Sequence, residues 1–417
     1  MQNLPDLISL RYLGPQSNIA EIKLPLSKSI ANRLLIISRV SKGAIHVAEW
    51  SDADDTIVLQ NALSCNSGEV NIGHAGTAMR FLTAYYASTP GTKVLLTGSE
   101  RMKQRPVKML VDALFQLDAN IRYAENEGYP PLIIEGKEIK GGEIEIQSDV
   151  SSQFISALML LAPSFSYGLH IVTKGKRVSQ PYIDLTVELM KQCGAKIELD
   201  DHAIKISPGS YQSDRTLKIE ADWSAAAFWF GISVLSMQKF HLQGLQKNSF
   251  QGDSWLIKWF SEQGLRYYYD EHGLIIDPSA FQVKAETIHL DLVNYPDLAQ
   301  MFCVLFAALK LKFRISGLQT LPLKETNRIE AIMNELSPFK VRFTSYQSDA
   351  IEADATLADF SLSHTVITYK DHRMAMAFSL LAFTGFNITI KDPGVVTKSY
   401  PGYWIDLSNA GVQINKQ

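Results

Sequence analysis

Leu24 to Arg33 reads Leu-Pro-Leu-Ser-Lys-Ser-Ile-Ala-Asn-Arg. A proline ends an extended run, a Ser-Lys-Ser triplet follows, and then an apolar stretch begins at Leu34. Ser29 fits as the N-cap of a helix, with Lys28 just outside its start. Ser29 and Arg33, four apart, then share one face. One hydroxyl, one ammonium and one guanidinium meet where a helix N-terminus already favours an anion. Taken alone, the stretch reads more readily as a capped surface helix with ordinary basic residues.

The same ingredients recur down the chain. Gly73 to Arg80 (Gly-His-Ala-Gly-Thr-Ala-Met-Arg) runs into an apolar helix, and small residues such as Gly76 let a ligand approach backbone amides. Glu100 to Pro106 places Arg101, Lys103 and Arg105 close together before a helix. Ser151, Ser152 and Gln153 open the apolar run from Phe154, as a cap or as a phosphate site. Ser179 to Asp184 holds Tyr182, and Asn294 to Asp297 puts Asp297 where an N-cap would stand. Lys324 and Arg328, in Lys-Glu-Thr-Asn-Arg, are four apart and read as one helix face. Asp371-His372-Arg373 precedes a strongly apolar helix, where charge is excluded unless paired or used. Lys398 follows Asp392-Pro393 in a late loop. Bases and hydroxyls at helix starts, with few acids among them, predict one site for two or more anionic groups. Arginine suits phosphate and carboxylate because its planar fork bonds bidentately.

Four segments that must position these residues read alike: amphipathic helix, break, strand, turn, strand. They are 110–136, 187–208, 256–278 and 329–354. Helical spacing switches to alternation at the same place each time. Two weaker copies flank them: 56–73, which looks truncated and ends in the strand Glu-Val-Asn-Ile-Gly, and 403–415. Six small α/β units cannot each bury both faces, so they must pack on one another, as two domains of three.

Composition narrows the function. The chain has 417 residues, 46% hydrophobic and 20% charged, with a net charge of −3. No bulk basic field recruits nucleic acid, so any anion site is local. Three scattered cysteines without a CxxC pair argue against disulfides or zinc and fit a reducing cytoplasm. The histidines lack HxxxH spacing, so no metal is expected. Met1 to Leu10 does not read as a signal peptide. The uncharged runs 151–173 and 374–390 are broken by Pro or Gly, so they read as buried helix then strand rather than membrane spans. No GxxxxGK[ST] loop supports nucleotide binding.

Taken jointly, LPLSKSIANR, GHAGTAMR, RMKQRP, SSQF, SQPYID, YPD, LKETNR, DHRMAM and DPGVVTKSYP give the chain an end-to-end resemblance to the 5-enolpyruvylshikimate-3-phosphate (EPSP) synthase family of enolpyruvyl transferases. The resemblance implies an α/β (α+β) fold of two similar domains, an inside-out α/β barrel with three repeated helix–sheet units in each. One domain would span 1–25 plus 221–417, the other 26–220, with the active site in the cleft between them. The implied reaction transfers the enolpyruvyl group of phosphoenolpyruvate to the 5-hydroxyl of shikimate 3-phosphate, with release of phosphate.

By residue match, Ser29, Arg33 and Tyr182 meet the shikimate carboxylate. Ser151, Ser152, Ser179 and Lys324 meet its 3-phosphate. Lys28, Arg105, Gln153 and Lys398 meet the phosphate of phosphoenolpyruvate beside Gly76, and Arg328 and Arg373 its carboxylate. Asp297 and Glu325 match the proton-transfer pair, with Lys28 as a further proton donor. No cofactor, metal, nucleic acid or membrane is implied. A cytoplasmic monomer is expected.

Several positions depart from the family pattern: His74 and Thr320 for Asn, Phe81 for a smaller residue, Asn327 for Asp, and a short stretch between Ala62 and Gly73. Two other readings stand beside the main one. A UDP-N-acetylglucosamine enolpyruvyl transferase shares the fold but typically carries a reactive Cys in the loop matching Ser99 to Pro106, and none is present. A non-catalytic anion-binding homologue is opposed by the retention of Asp297, Glu325 and Lys28.

Overall fold

The computed structural model describes residues 5–147, 151–175, 178–347 and 349–416. The chain divides into two compact units: Met1–Leu26 with Glu220–Gln417, and Ser27–Ile219.

In the Ser27–Ile219 unit, Ser67–Asn71 pairs parallel with Lys93–Thr97. A parallel pair needs a long crossover, which the Gly76–Ala87 helix supplies. Lys93–Thr97 then pairs antiparallel with Leu132–Glu135, which also pairs with Asn120–Tyr123. The second sheet follows the same plan, in the order Gly142–Gln147, Leu169–Lys174, Ala203–Ile206, Ile197–Leu199. Its first strand alternates, with Ile144 and Ile146 buried and Glu143 and Glu145 exposed. One face therefore packs on helices and the other meets water.

The other unit carries three such sheets: Thr287–Asp291, Lys312–Ser316, Ala350–Asp354, Arg342–Gln347; then Ile19–Lys23 with the strands around Lys239–Gln243; then Thr365–Val366 with Ile388–Lys391. Two of them are completed from the chain's N-terminal part. Leu7–Tyr12 lies between Ile388–Lys391 and Val412–Lys416, and Ile19–Lys23 runs parallel to Lys239–Gln243. Leu26 bridges Ala221, so the strands leaving and re-entering this unit lie side by side. Trp223–Ser236 and Ala299–Ala308 are buried on nearly every side, as helices apolar all round must be.

The helix–strand–strand repeat read from sequence is thus the second half of a longer plan, strand–helix–strand–helix–hairpin. The weak copy at 403–415 lacked its second strand because Leu7–Tyr12 supplies it. The weak copy at 56–73 requires a correction. Its Glu-Val-Asn-Ile stretch lies mostly in the Ser67–Asn71 strand, which opens the next sheet. The Asp54–Ala62 helix therefore has no hairpin of its own. Among the described residues the third sheet expected here is a single bridge, Val47 to Leu217.

Candidate active site

In the Ser27–Ile219 unit four helix N-termini carry the expected binding residues. The Lys28–Val40 helix begins two residues earlier than expected: Ser27 occupies the cap position, and Lys28 and Ser29 lie in the first turn. Lys28 Nζ sits 3.0 Å from the buried Asp55 carboxylate. Arg33 is buried and ties three helices together. It donates to Thr186 Oγ1 (2.7 Å), Ser29 O (2.9 Å), Tyr182 O (3.2 Å) and Ser156 Oγ (3.4 Å). Its guanidinium lies over the Phe81 ring at 5.7 Å, so this departure from the family pattern supplies a cation–π partner. Burial, with only the tyrosine at 182 opposing it, lowers the Arg33 pKa to about 10.

Ser151 is the N-cap of Ser152–Leu161, one of the two roles left open for this stretch, and accepts from the Gln153 amide. Gln153 Nε2 donates to Thr77 Oγ1 (3.3 Å), joining this helix start to that of Gly76–Ala87. Gly76 is a tight fit: a Cβ there would lie 2.5 Å from Arg105 Nη1. Ser179 occupies the cap position of Gln180–Gln192 in a left-handed conformation (φ 55°). These contacts bring Ser29, Arg33 and Tyr182 together, and Gly76 with Arg105. Backbone N–H groups of the first turns have no intrahelical partner, so such a cluster of helix starts favours anions. His74, another departure, bonds Ser99 Oγ at 2.9 Å, and Ser99 caps the Glu100–Lys103 helix ahead of Arg105.

The residues expected from the second unit form one ion-pair lattice. Arg328 opens the Arg328–Leu336 helix and is 1% exposed. It reaches Asp371 Oδ2 (2.7 Å), Asp297 Oδ1 (2.8 Å) and Glu325 Oε2 (3.0 Å). Arg373 binds Asp297 Oδ2 at 3.2 Å and its backbone carbonyl at 2.9 Å. Lys324 lies 3.5 Å from Asp297, and Lys398 lies 2.7 Å from Glu325.

One expectation fails here, and one open alternative is closed. Lys324 precedes the helix in extended backbone, so it shares no helical face with Arg328. Asp297 is no N-cap: it lies within the short Pro296–Leu298 turn and serves the cations instead. Burial pushes the Asp297 carboxyl up, but Arg373, Lys324 and Arg328 outweigh it and hold it well below the usual carboxylate range. Arg328 is shifted upward, since Asp371, Glu325 and Asp297 together outweigh its burial.

Sequence reasoning passed over two carboxylates, Asp55 and Asp253, and gave a third, Asp371, no partner. Asp55 pairs with Lys28, and its signal was an Asp-Asp start to the second helix. Asp371 caps His372–Ser379 and anchors Arg328. Asp253 is buried and accepts from Ser224 Oγ. Burial pushes its pKa up to about 6, with Arg373 acting downward and Asp297 upward. Nothing in its sequence neighbourhood marked it. Among the described residues no group of three or more His, Cys, Asp or Glu is placed to hold a metal ion.

Sheet-backed helices that gather cations and hydroxyls at their starts define an α/β protein that acts on anionic small molecules. Comparison with known proteins gives the family. The model for EPSP synthase (3-phosphoshikimate 1-carboxyvinyltransferase) matches residues 59–407. A 3-phosphoshikimate 1-carboxyvinyltransferase of Bacteroides fragilis (strain YCH46) is 44% identical over 409 residues, covering 97% of this chain and 99% of that protein. One of Histophilus somni (strain 2336) is 33% identical over 426 residues, covering 95% and 97%. A solved EPSP synthase of Acinetobacter baumannii superposes with a TM-score of 0.76 at 17% identity, covering 98% of this chain and 100% of that one. The chain belongs to the EPSP synthase family, and its reaction is enolpyruvyl transfer in the shikimate pathway.

Proposed function

We propose that the two sets of residues act on one pair of substrates and divide the work. The observation that carries this reading is the lattice in which Lys324, Arg328, Arg373 and Lys398 interleave with Asp297, Glu325 and Asp371.

The helix starts of the Ser27–Ile219 unit hold the shikimate carboxylate and, with cations of the other set, both phosphates. Ser29, Arg33 and Tyr182 take the shikimate carboxylate, and Ser151, Ser152 and Ser179, with Lys324, its 3-phosphate. Lys28, Arg105 and Gln153, with Lys398, take the phosphate of phosphoenolpyruvate where Gly76 lets it approach. Arg328 and Arg373 take the phosphoenolpyruvate carboxylate.

The reaction needs two proton movements. The methylene carbon of phosphoenolpyruvate gains a proton, and the 5-hydroxyl loses its own as its oxygen bonds the neighbouring carbon. The tetrahedral adduct then loses a methyl proton and expels phosphate, leaving the enolpyruvyl ether. Asp297, Glu325 and Lys28 are the groups that move these protons. Asp297, held as a carboxylate, is an acceptor. Engagement of Arg373 with the substrate carboxylate withdraws a cation from Asp297 and raises its proton affinity at the moment it is needed. The surrounding cations stabilise developing charge and fix geometry.

A ligand pair that uses both sets favours whichever arrangement of the units satisfies them together. Small-angle scattering should therefore show compaction when both ligands are added. No described helix is long and apolar enough to cross a membrane; a cytoplasmic monomer is the setting we propose. The test is phosphate release with shikimate 3-phosphate and phosphoenolpyruvate. Release only when UDP-N-acetylglucosamine replaces the shikimate ligand would overturn the reading.

A further inference from the structure

Just before Asp371 the backbone does something unusual. Tyr369 (φ 53°) and Lys370 (φ 57°) are both left-handed, one after the other. Residues with a Cβ disfavour this region, so neighbouring contacts must hold the pair in place. Glu335, buried in the last turn of the Arg328–Leu336 helix, provides them. Its carboxylate accepts from His364 Nε2 (2.7 Å), the Ile367 amide (3.1 Å) and Tyr369 Oη (2.7 Å). All three donors come from the segment that leads to Asp371. Burial, and then the bond to Glu335, push the Tyr369 phenol up to about 12, so it remains a donor at neutral pH.

The other end of that segment is held by the same helix. Arg328 precedes Glu335 by two turns, so the two side chains leave one face. Arg328 grips Asp371, and Asp371 accepts from the Arg373 amide at 2.9 Å. The Asp371 amide in turn donates to Thr368 O at 2.9 Å, which closes the turn around the left-handed pair. A single helix face thus fixes both ends of residues 364–371, and Arg373 starts from the far end.

We propose that Glu335 and Tyr369 are positioning residues for phosphoenolpyruvate: their hydrogen bond holds the Tyr369–Lys370 turn, and through it the guanidinium of Arg373. Neither touches substrate. The inference rests on the reading that Arg373 binds the phosphoenolpyruvate carboxylate.

The experiment is steady-state phosphate release and thermal unfolding on the full chain, for Tyr369→Phe, Glu335→Gln, the double variant and Arg373→Lys. Tyr369→Phe should raise KM for phosphoenolpyruvate about five- to tenfold, the scale of one hydrogen bond to a charged acceptor only partly transmitted. KM for shikimate 3-phosphate should stay within about twofold. Glu335→Gln should match or exceed this, and the double variant should add little, since both changes cut the same contact.

An anchor that serves stability alone predicts the opposite pattern: a lower Tm and less active protein with KM for phosphoenolpyruvate unchanged, which overturns the proposal. If Arg373→Lys raises that KM but Tyr369→Phe does not, the proposal alone fails. If Arg373→Lys leaves it unchanged, the reading of Arg373 fails, and the proposal with it. Should Glu335→Gln not fold, Tyr369→Phe decides alone, because it removes one hydroxyl and keeps the ring.

Discussion

Two buried arginines show how differently the two units treat charge. Arg33 donates to hydroxyls and carbonyls, and burial lowers its pKa to about 10. Arg328 is as deeply buried but meets three carboxylates and is shifted the other way. A buried cation among neutral acceptors still gains from an incoming anion, whereas a cation already saturated by carboxylates gains less. The first arrangement is suited to capturing a fixed negative charge. The second is suited, besides the carboxylate it takes, to chemistry in which charge appears and disappears, because acids and bases are already interleaved and held. The physical lesson is that one family of helix–sheet units can carry either arrangement, according to whether acids accompany the bases at the helix starts.

The largest expected effect breaks the second arrangement. Arg328→Lys keeps a charge but cannot reach Asp297, Glu325 and Asp371 together. Turnover should fall about a thousandfold, on the scale of lost transition-state stabilisation. Circular dichroism distinguishes this from unfolding. Retention of turnover within about threefold would show that the lattice is scaffolding only.

Next in size is a pH-linked stability effect beside the same lattice. Asp253 has a folded pKa raised to about 6, against about 4 unfolded, so the folded state holds the proton longer. Its contribution is fully present below about pH 4 and is lost as pH rises through about 6. Asp253→Asn should therefore gain on the parent by about 2–3 kcal/mol across that window, the free-energy equivalent of about two pKa units. Asp297 runs the other way: its folded pKa is depressed, so its stabilisation is present above about pH 4 and lost as pH falls. Denaturant titrations at pH 4 and 7 test the first sign and titrations between about pH 5 and 2 the second, and an Asp253→Asn difference independent of pH would contradict the first.

Arg33→Lys sharpens the other half of the comparison. An ammonium replaces one of the four donor contacts and cannot bond a carboxylate bidentately. KM for shikimate 3-phosphate should rise about tenfold, with a smaller change for phosphoenolpyruvate. Equal changes for both substrates would mean that Arg33 is a general brace. The smallest effect belongs to Gly76→Ala. The atoms nearest the new Cβ belong to the far end of the flexible Arg105 side chain, so Tm should hold. The displaced guanidinium should raise KM for phosphoenolpyruvate about fivefold, within the range for weakening one charged hydrogen bond.

Much of this was legible in the sequence because it is local. Helix starts rich in Ser, Lys and Arg, and switches from helical spacing to alternation, are read within a few residues. Non-local pairing was not. Nothing near Leu7–Tyr12 says that it completes a sheet with strands at the far end of the chain. Glu-Val-Asn-Ile could be read as a strand but not assigned to its sheet, because alternation identifies a face and not a partner. At the site, the bases were visible and their acids less so. Asp55 and Asp253 matter through contacts made across the fold, and single acids carry no periodic signal; Asp371 stood out as a charge before an apolar helix, but its partner Arg328 did not. Helix boundaries slipped by two residues at Ser29 because Ser27 and Ser29 are equally plausible caps, and only the backbone decides between them.

The division of labour is tested most directly by phosphate release from a matched pair of variants, Asp297→Asn and Ser151→Ala. Asp297→Asn should lower kcat by about a hundredfold or more while both KM values stay within about threefold. Ser151→Ala should raise KM for shikimate 3-phosphate with kcat within about threefold. The reverse pattern, a KM effect from Asp297 and a kcat effect from Ser151, would contradict the assignment of proton transfer to Asp297 and of 3-phosphate capture to Ser151.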